Sequence, residues 1–262
     1  MFIDKYAWCK EIIERGHHTL VAGCSGSGKS VAIHDLLYTL MLDSPENNCF
    51  VLIDTKKVEL VDFKDAPHTV KYVDDPDEVY PLLKKVMDIM DRRFERMQAR
   101  HEKKSSEPTL WVVIDEYFDI MTLCDKKVMP ILNRLSSAGR AAKVLLLVGT
   151  QRTTRDVLSG MIATNFSCKL GLRTITKQDS RNIIQVSGCE NLPKYGKGIL
   201  QIDGINEEIE IPYTSEEKIE ERVQYWIDWW NSQQVPTPNH TPTVQPEPKK
   251  RRFWQRKRPS TK

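Results

Sequence analysis

The sequence predicts an α/β fold built on a mostly parallel sheet, and three observations predict it. A short apolar run, HTLVAG at 18–23, leads into GCSGSGKS at Gly23–Ser30 and then into an amphipathic segment. Further apolar runs of strand length follow at 49–55, 110–115 and 144–150. Segments with helical periodicity separate them, and parallel strands need crossover connections of that kind.

Each element has its own warrant. Residues 1–15 place Tyr6, Trp8, Cys9, Ile12 and Ile13 on one side of a short helix. From Lys29 to Leu42, Val31, Ile33, Leu36, Leu37, Leu40 and Met41 recur at helical spacing, and the run stops before Pro45. A long helix is expected from about Asp77 to Lys104, where Val79, Leu82, Leu83, Val86, Met87, Met90, Phe94 and Met97 recur at three and four. A shorter one includes Val128 to Ala138. FSCKLGLR (166–173), GKGILQIDG (196–204) and the following EEIEIPY read as later strands. A last helix from about Ser215 to Trp230 has Ile219, Val223, Trp226, Ile227 and Trp230 on one face, and Thr214 and Glu217 at capping-box spacing. Periodicity accounts for those tryptophans as core. Residues 231–248, rich in Pro, Thr, Gln and Asn, read as a disordered linker.

Composition sets bounds. The 262 residues are 40% hydrophobic and 29% charged, ordinary for a soluble domain with a substantial core. No run of about 18 apolar residues is present, which excludes a membrane-spanning helix. The opening MFIDKYAWCKEIIERGHH has acidic residues and no apolar stretch, unlike a signal peptide. Six scattered cysteines without zinc-ligand spacing fit reduced thiols in a cytoplasm. The net charge of +3 is uneven: residues 249–262 hold eight Lys or Arg and no acid, so removing them leaves −5 on residues 1–248. Net charge therefore does not argue for a uniformly basic nucleic-acid surface.

The stretch GCSGSGKS matches G-x-x-x-x-G-K-[ST] in the required strand–loop–helix context. Gly23, Cys24, Ser25, Gly26, Ser27 and Gly28 would curl their backbone around phosphate oxygens, with glycine permitting the dihedrals. Lys29 would reach the β- and γ-phosphates of ATP, and Ser30 would bind Mg2+. Downstream, LWVVIDE ends a strand in two acids. Asp115 stands where a carboxylate helps hold the magnesium, and Glu116 could polarise water as a general base. Their pairing with the loop points to hydrolysis rather than binding alone. Gln151 would sit at the carboxyl end of the fourth apolar strand, the edge where ligands gather, to sense the γ-phosphate or orient water.

With these motifs in order, the sequence resembles the motor domain of the FtsK/SpoIIIE DNA translocases over roughly residues 17–212. LIDTKKVEL resembles the family's second strand, with Thr55 where the family usually has proline. DRRFERM (91–97), VVIDEYFDIM with its trailing Asp119, LSSAGRAAKVLLLVGTQR, and DVLSGMIATNFSCKLGLRTITKQDSRNII resemble further family segments, as do Gly196 and Gly198. The TQR segment normally continues with proline, and here Thr153 follows.

The resemblance implies a RecA-like P-loop NTPase core that works as a ring, usually a hexamer, with ATP at subunit interfaces. Arg140 matches the position of an arginine finger acting on a neighbour's nucleotide. Asp179, Ser180 and Arg181 match the family's Asp-Ser-Arg, with no chemistry assigned. The expected organisation is a short helical segment at 1–16, the ATPase domain at 17–230, and a linker with a basic tail at 231–262. Against the family pattern, the amino-terminal ring-forming module is reduced to the first sixteen or so residues and no winged-helix domain follows residue 212, which points to a minimal motor of a mobile element or phage. The leading expectation is therefore an ATP-dependent translocase on double-stranded DNA. The alternatives are a coupling ATPase that recruits a relaxase or a membrane-anchored partner to a secretion channel, and a viral DNA-packaging ATPase. In the tail, KKRRFWQRKR (249–258) interleaves cations with Phe253 and Trp254; it fits nucleic acid, a membrane surface, or plain solvation.

Overall fold

The computed structural model describes residues 5–158 and 160–233. The basic tail, and the linker beyond Gln233, lie outside the described residues. In chain order the elements are α1 (Ala7–Arg15), β1 (Thr19–Ala22), α2 (Lys29–Leu40), β2 (Asn48–Ile53), a 3-10 turn (Val61–Phe63), β3 (Thr69–Val73), α3 (Pro76–Arg100) and β4 (Thr109–Ile114). Then come α4 (Tyr117–Leu123), α5 (Val128–Ala138), β5 (Val144–Thr150), α6 (Arg155–Leu158), α7 (Met161–Asn165), β6 (Cys168–Gly171), α8 (Lys177–Ile184), β7 (Lys197–Ile202), β8 (Ile205–Glu210) and α9 (Glu216–Gln233).

The eight strands form one sheet in the order β3-β2-β4-β5-β1-β6-β7-β8. Strands β3 through β6 pair in parallel, and β7 and β8 complete the edge antiparallel. Every residue of β1, β2, β5 and β6 is buried, as expected for parallel strands covered on both faces. Two apolar layers result. One packs α3, α5, α7 and α8 against Val112, Ile114, Leu146 and Val148. The other packs α1, α2 and α9 against Val21, Val113 and Leu147.

The helix boundaries follow local chemistry. Asp75 accepts a bond from the amide of Asp77 and Pro76 opens α3, while His101 in the left-handed region closes it. The expected helix therefore ends four residues early. Strand β3 was not expected at all; TVKYV is short, half-buried and carries a lysine at a sheet edge. The expected capping box at Thr214 does not form. The Thr214 hydroxyl instead donates to Asp35 Oδ1 at 2.5 Å and contacts the Tyr6 hydroxyl at 2.8 Å, so it joins α9 to α2 and α1. Trp226 is buried and donates to the carbonyl of Met41, so the core reading of the tryptophan face holds there.

Asp35 gives the fold a pH dependence. Burial pushes its carboxyl up to about 7, against the opposing bond from Thr214. The folded state thus holds this proton more tightly than the unfolded chain. The stability contributed by the protonated form is complete below pH 3.8 and is lost as pH rises toward about 7. Asp35→Asn removes the titration. Its stability relative to the parent should rise by about 2–3 kcal/mol between pH 5 and pH 8, measured by urea melts at both values. An unchanged difference would contradict the assignment.

Candidate nucleotide-binding site

The site lies at the carboxyl ends of β1, β4 and β5, which are adjacent in the sheet. The loop after β1 is anchored from below. Gly23 N–H donates to the Thr150 carbonyl, Cys24 N–H to the Arg173 carbonyl, and Ser27 N–H to the Cys24 carbonyl. Gly28 has a φ of 94°, a conformation that costs other residues steric strain, and it lets the chain turn into α2. The amides of Gly26, Gly28, Lys29 and Ser30 donate to no backbone carbonyl of the described residues outside the loop, which leaves donors at and just before the α2 N-terminus. Lys194 reaches the loop too, 3.8 Å from where a side chain on Gly26 would stand.

Lys29 and Asp115 form a buried ion pair through Nζ and Oδ1, and Nζ also donates to the Asp115 carbonyl at 3.0 Å. Burial pushes the Asp115 carboxyl up, and the Lys29 charge opposes that. The second oxygen, Oδ2, is buried with no partner among the described residues, as is the Ser27 hydroxyl. These two orphaned oxygens and the idle loop amides are the groups that a hydrated cation and a phosphate chain would satisfy. The residues present therefore fit a magnesium nucleotide. Gly149 on β5 keeps this packing possible. A β-carbon there would stand 2.3 Å from the Asp115 carbonyl and 3.2 Å from Lys29 Cδ.

Glu116 caps α4 and is buried. Its Oε1 accepts the Thr150 hydroxyl at 2.8 Å and the Gln151 amide at 3.2 Å. Its Oε2 accepts the same amide at 3.1 Å and Lys56 Nζ at 3.4 Å. Both oxygens are thus engaged by the end of β5 and by the loop after β2. Burial lowers the Lys56 pKa, but Glu116, Asp119 and Asp115 outweigh it and the net shift is upward. Thr55 donates to Asp119 at 3.1 Å. The structure therefore brings together Gly23–Ser30, Asp115, Glu116 and Gln151. Gln151 meets Glu116 through its backbone N–H. Lys56 and Thr150 belong to the same cluster and escaped the sequence reading.

Arg140 does not join this cluster. It is exposed in the turn before β5 and lies near His17 and His18, ahead of β1, whose pKa values are lowered first by burial and then by the Arg140 charge. That is the amino-terminal end of the strands, roughly 20 Å away along the seven residues of β5.

Residues 3–107 match the FtsK/SpoIIIE family model. Over 216 residues the chain is 32% identical to the DNA translocase FtsK of Lactococcus lactis subsp. cremoris, which covers 74% of this chain and 28% of that protein. The chain carries an FtsK/SpoIIIE-family domain. It is also 30% identical over 233 residues to the DNA translocase SpoIIIE of Bacillus subtilis, covering 80% of this chain and 30% of that one. The chain spans less than a third of the length of these curated relatives.

Among solved structures, the pCW3 conjugation coupling protein TcpA, in monomer form with ATPgS, superposes with a TM-score of 0.70 at 21% identity, covering 80% of this chain and 65% of that one. The cytoplasmic domain of the Thermomonospora curvata Type VII secretion ATPase EccC gives 0.68 at 25% identity, covering 80% and 28%. The FtsK/SpoIIIE-family domain thus has the P-loop ATPase fold. No described helix is long and apolar enough to cross a membrane.

Within the family domain, the Asp-Ser-Arg segment opens α8. Asp179 completes a capping box with Thr176, and Ser180 donates to the Val186 carbonyl and accepts the Cys189 amide. Both departures from the family pattern are used as hydroxyls. Thr55 bonds Asp119, and Thr153 bonds Asp179 at 2.9 Å, neither of which proline could do.

Proposed function

We propose that the chain is an ATP-driven motor that moves along double-stranded DNA, working in a cytoplasmic ring of identical subunits. Its similarity to FtsK and SpoIIIE translocases over about three quarters of its length carries the reading. The site geometry supports the chemistry. The loop amides cradle the phosphates, and Lys29 exchanges Asp115 for the β- and γ-phosphates. Ser30 and Asp115 would hold magnesium, which neutralises phosphate charge when bound.

Glu116 orients the attacking water and takes its proton as the oxygen bonds to the γ-phosphorus and the bond to ADP breaks. To do so it gives up one of its present donors, and the exposed end of the contact set is Lys56. The link from Glu116 to the Gln151 amide gives nucleotide state a direct hold on the chain after β5. Arg140 lies too far from its own loop to act there. Its exposure in the turn before β5 suits an arginine that stabilises phosphoryl charge on a neighbouring subunit's nucleotide.

ATP turnover measured with and without duplex DNA at low salt tests this reading. A rise of at least several-fold on adding duplex is expected. Turnover indifferent to DNA would sink the translocase reading and leave a nucleotide hydrolase of another purpose.

A further inference from the structure

We propose that Lys56 is a restraint on the general base: its ammonium, aimed by the loop after β2, keeps Glu116 from accepting a water proton until the lysine is drawn off. The inference rests on the reading of Glu116 as the base. It makes Lys56 a positioning residue that acts through that carboxylate.

Glu116 is saturated with donors. The Thr150 hydroxyl, the Gln151 amide, the Phe118 amide and Lys56 Nζ all reach its two oxygens. A carboxylate offers about four lone-pair sites, so these donors leave no place for a water that is to give up a proton. The donors differ in what they can do. Two are backbone amides, and the hydroxyl belongs to Thr150, which is fully buried at the end of β5. These hold the carboxylate in place by themselves. Lys56 is the mobile one: its side chain is 39% exposed and its contact with Oε2 is 3.4 Å. Its four-carbon stem is flexible.

The loop that carries Lys56 is built to aim it. Thr55 donates to Asp119 at 3.1 Å, three residues on from Glu116, so successive loop residues engage the cap and the first turn of α4. Asp54 clamps the base of the loop. Its Oδ2 accepts the Leu60 amide at 2.9 Å, and its carbonyl accepts the Lys57 amide at 3.1 Å. Lys57 takes a left-handed φ of 62°, a strained conformation for a side chain of this size, and its ammonium meets Asp74 at 3.8 Å. Two adjacent lysines thus reach different acids across a strained turn.

The restraint also has somewhere to go. Burial lowers the Lys56 pKa, but Glu116, then Asp119, then Asp115 hold the ammonium charged. Asp119 is therefore its next attractor. A swing from Glu116 toward Asp119 clears Oε2 for water while Thr150 and Gln151 keep the carboxylate positioned.

Steady-state ATP turnover by the full chain, without DNA, tests this. Lys56→Met should raise kcat about two- to five-fold, the worth of a half-exposed ion pair, and leave KM for ATP within about two-fold. Lys56→Arg keeps the charge and should stay near the parent. Thr55→Val should raise kcat in the parent background and add nothing to Lys56→Met, because both act on one contact. Adding Glu116→Gln to Lys56→Met should abolish the gain. Loss of a merely structural contact would not speed the reaction.

A kcat in Lys56→Met equal to or below the parent's would overturn the restraint. So would the same gain in Lys56→Arg, or a gain that survives Glu116→Gln. If Glu116→Gln alone leaves parental turnover unchanged, the base reading itself fails, and the restraint falls with it. Absence of stimulation by duplex DNA would refute the motor reading only, and the DNA-free comparison would still decide the role of Lys56.

Discussion

Replacing Glu116 by glutamine is expected to leave ATP bound and to slow its turnover by at least a hundredfold, the usual contribution of a positioned general base. The reason is local. An amide at this position keeps an oxygen to accept the Thr150 hydroxyl and the Gln151 amide, so α4 remains capped and the end of β5 stays in place. What is lost is the carboxylate that can take a proton from water. Lys29, Ser30 and the loop amides are untouched, so affinity for a fluorescent ATP analogue should stay within a few-fold of the parent. Turnover within tenfold of the parent would show that another group activates the water.

Lys29→Ala is expected to act twice. It removes the cation that meets the phosphates, so turnover should fall below detection. It also strands Asp115, whose carboxylate is buried and has Lys29 as its one ion-pair partner among the described residues. Breaking a buried pair from one side costs about 3–5 kcal/mol when the remaining charge stays ionised. Burial already pushes the Asp115 carboxyl up, so protonation offsets part of that cost, and the loss should be smaller near pH 5 than near pH 8. Chemical denaturation at the two pH values measures it. Mixing Lys29→Ala with Arg140→Ala subunits extends the test. Partial recovery of turnover is the result of a finger acting across an interface; no recovery at any mixing ratio would remove Arg140 from the mechanism.

Much of the site was legible because its chemistry is written locally. GCSGSGKS fixes loop, helix start and lysine within eight residues, and LWVVIDE ends a buried strand in two acids. The sheet order then brings β1, β4 and β5 side by side, which periodicity alone does not state. Lys56 and Thr150 were not legible. Lys56 meets Glu116 from 60 positions away through a flexible side chain, and Thr150 looks like any β-branched residue closing a strand. Strand β3 escaped because an edge strand with a lysine in it carries little apolar signal. Thr214 misled for the opposite reason: its spacing to Glu217 suits a helix cap, but a buried carboxylate on α2 offers its hydroxyl a stronger partner.

The most direct test of the central claim is displacement of a third strand annealed to duplex DNA, followed by gel with the chain and ATP. The account predicts displacement that requires hydrolysable ATP, is abolished by Glu116→Gln, and grows with the length of duplex leading to the triplex. ATP consumed at the same rate with and without DNA, and no strand released, would contradict it.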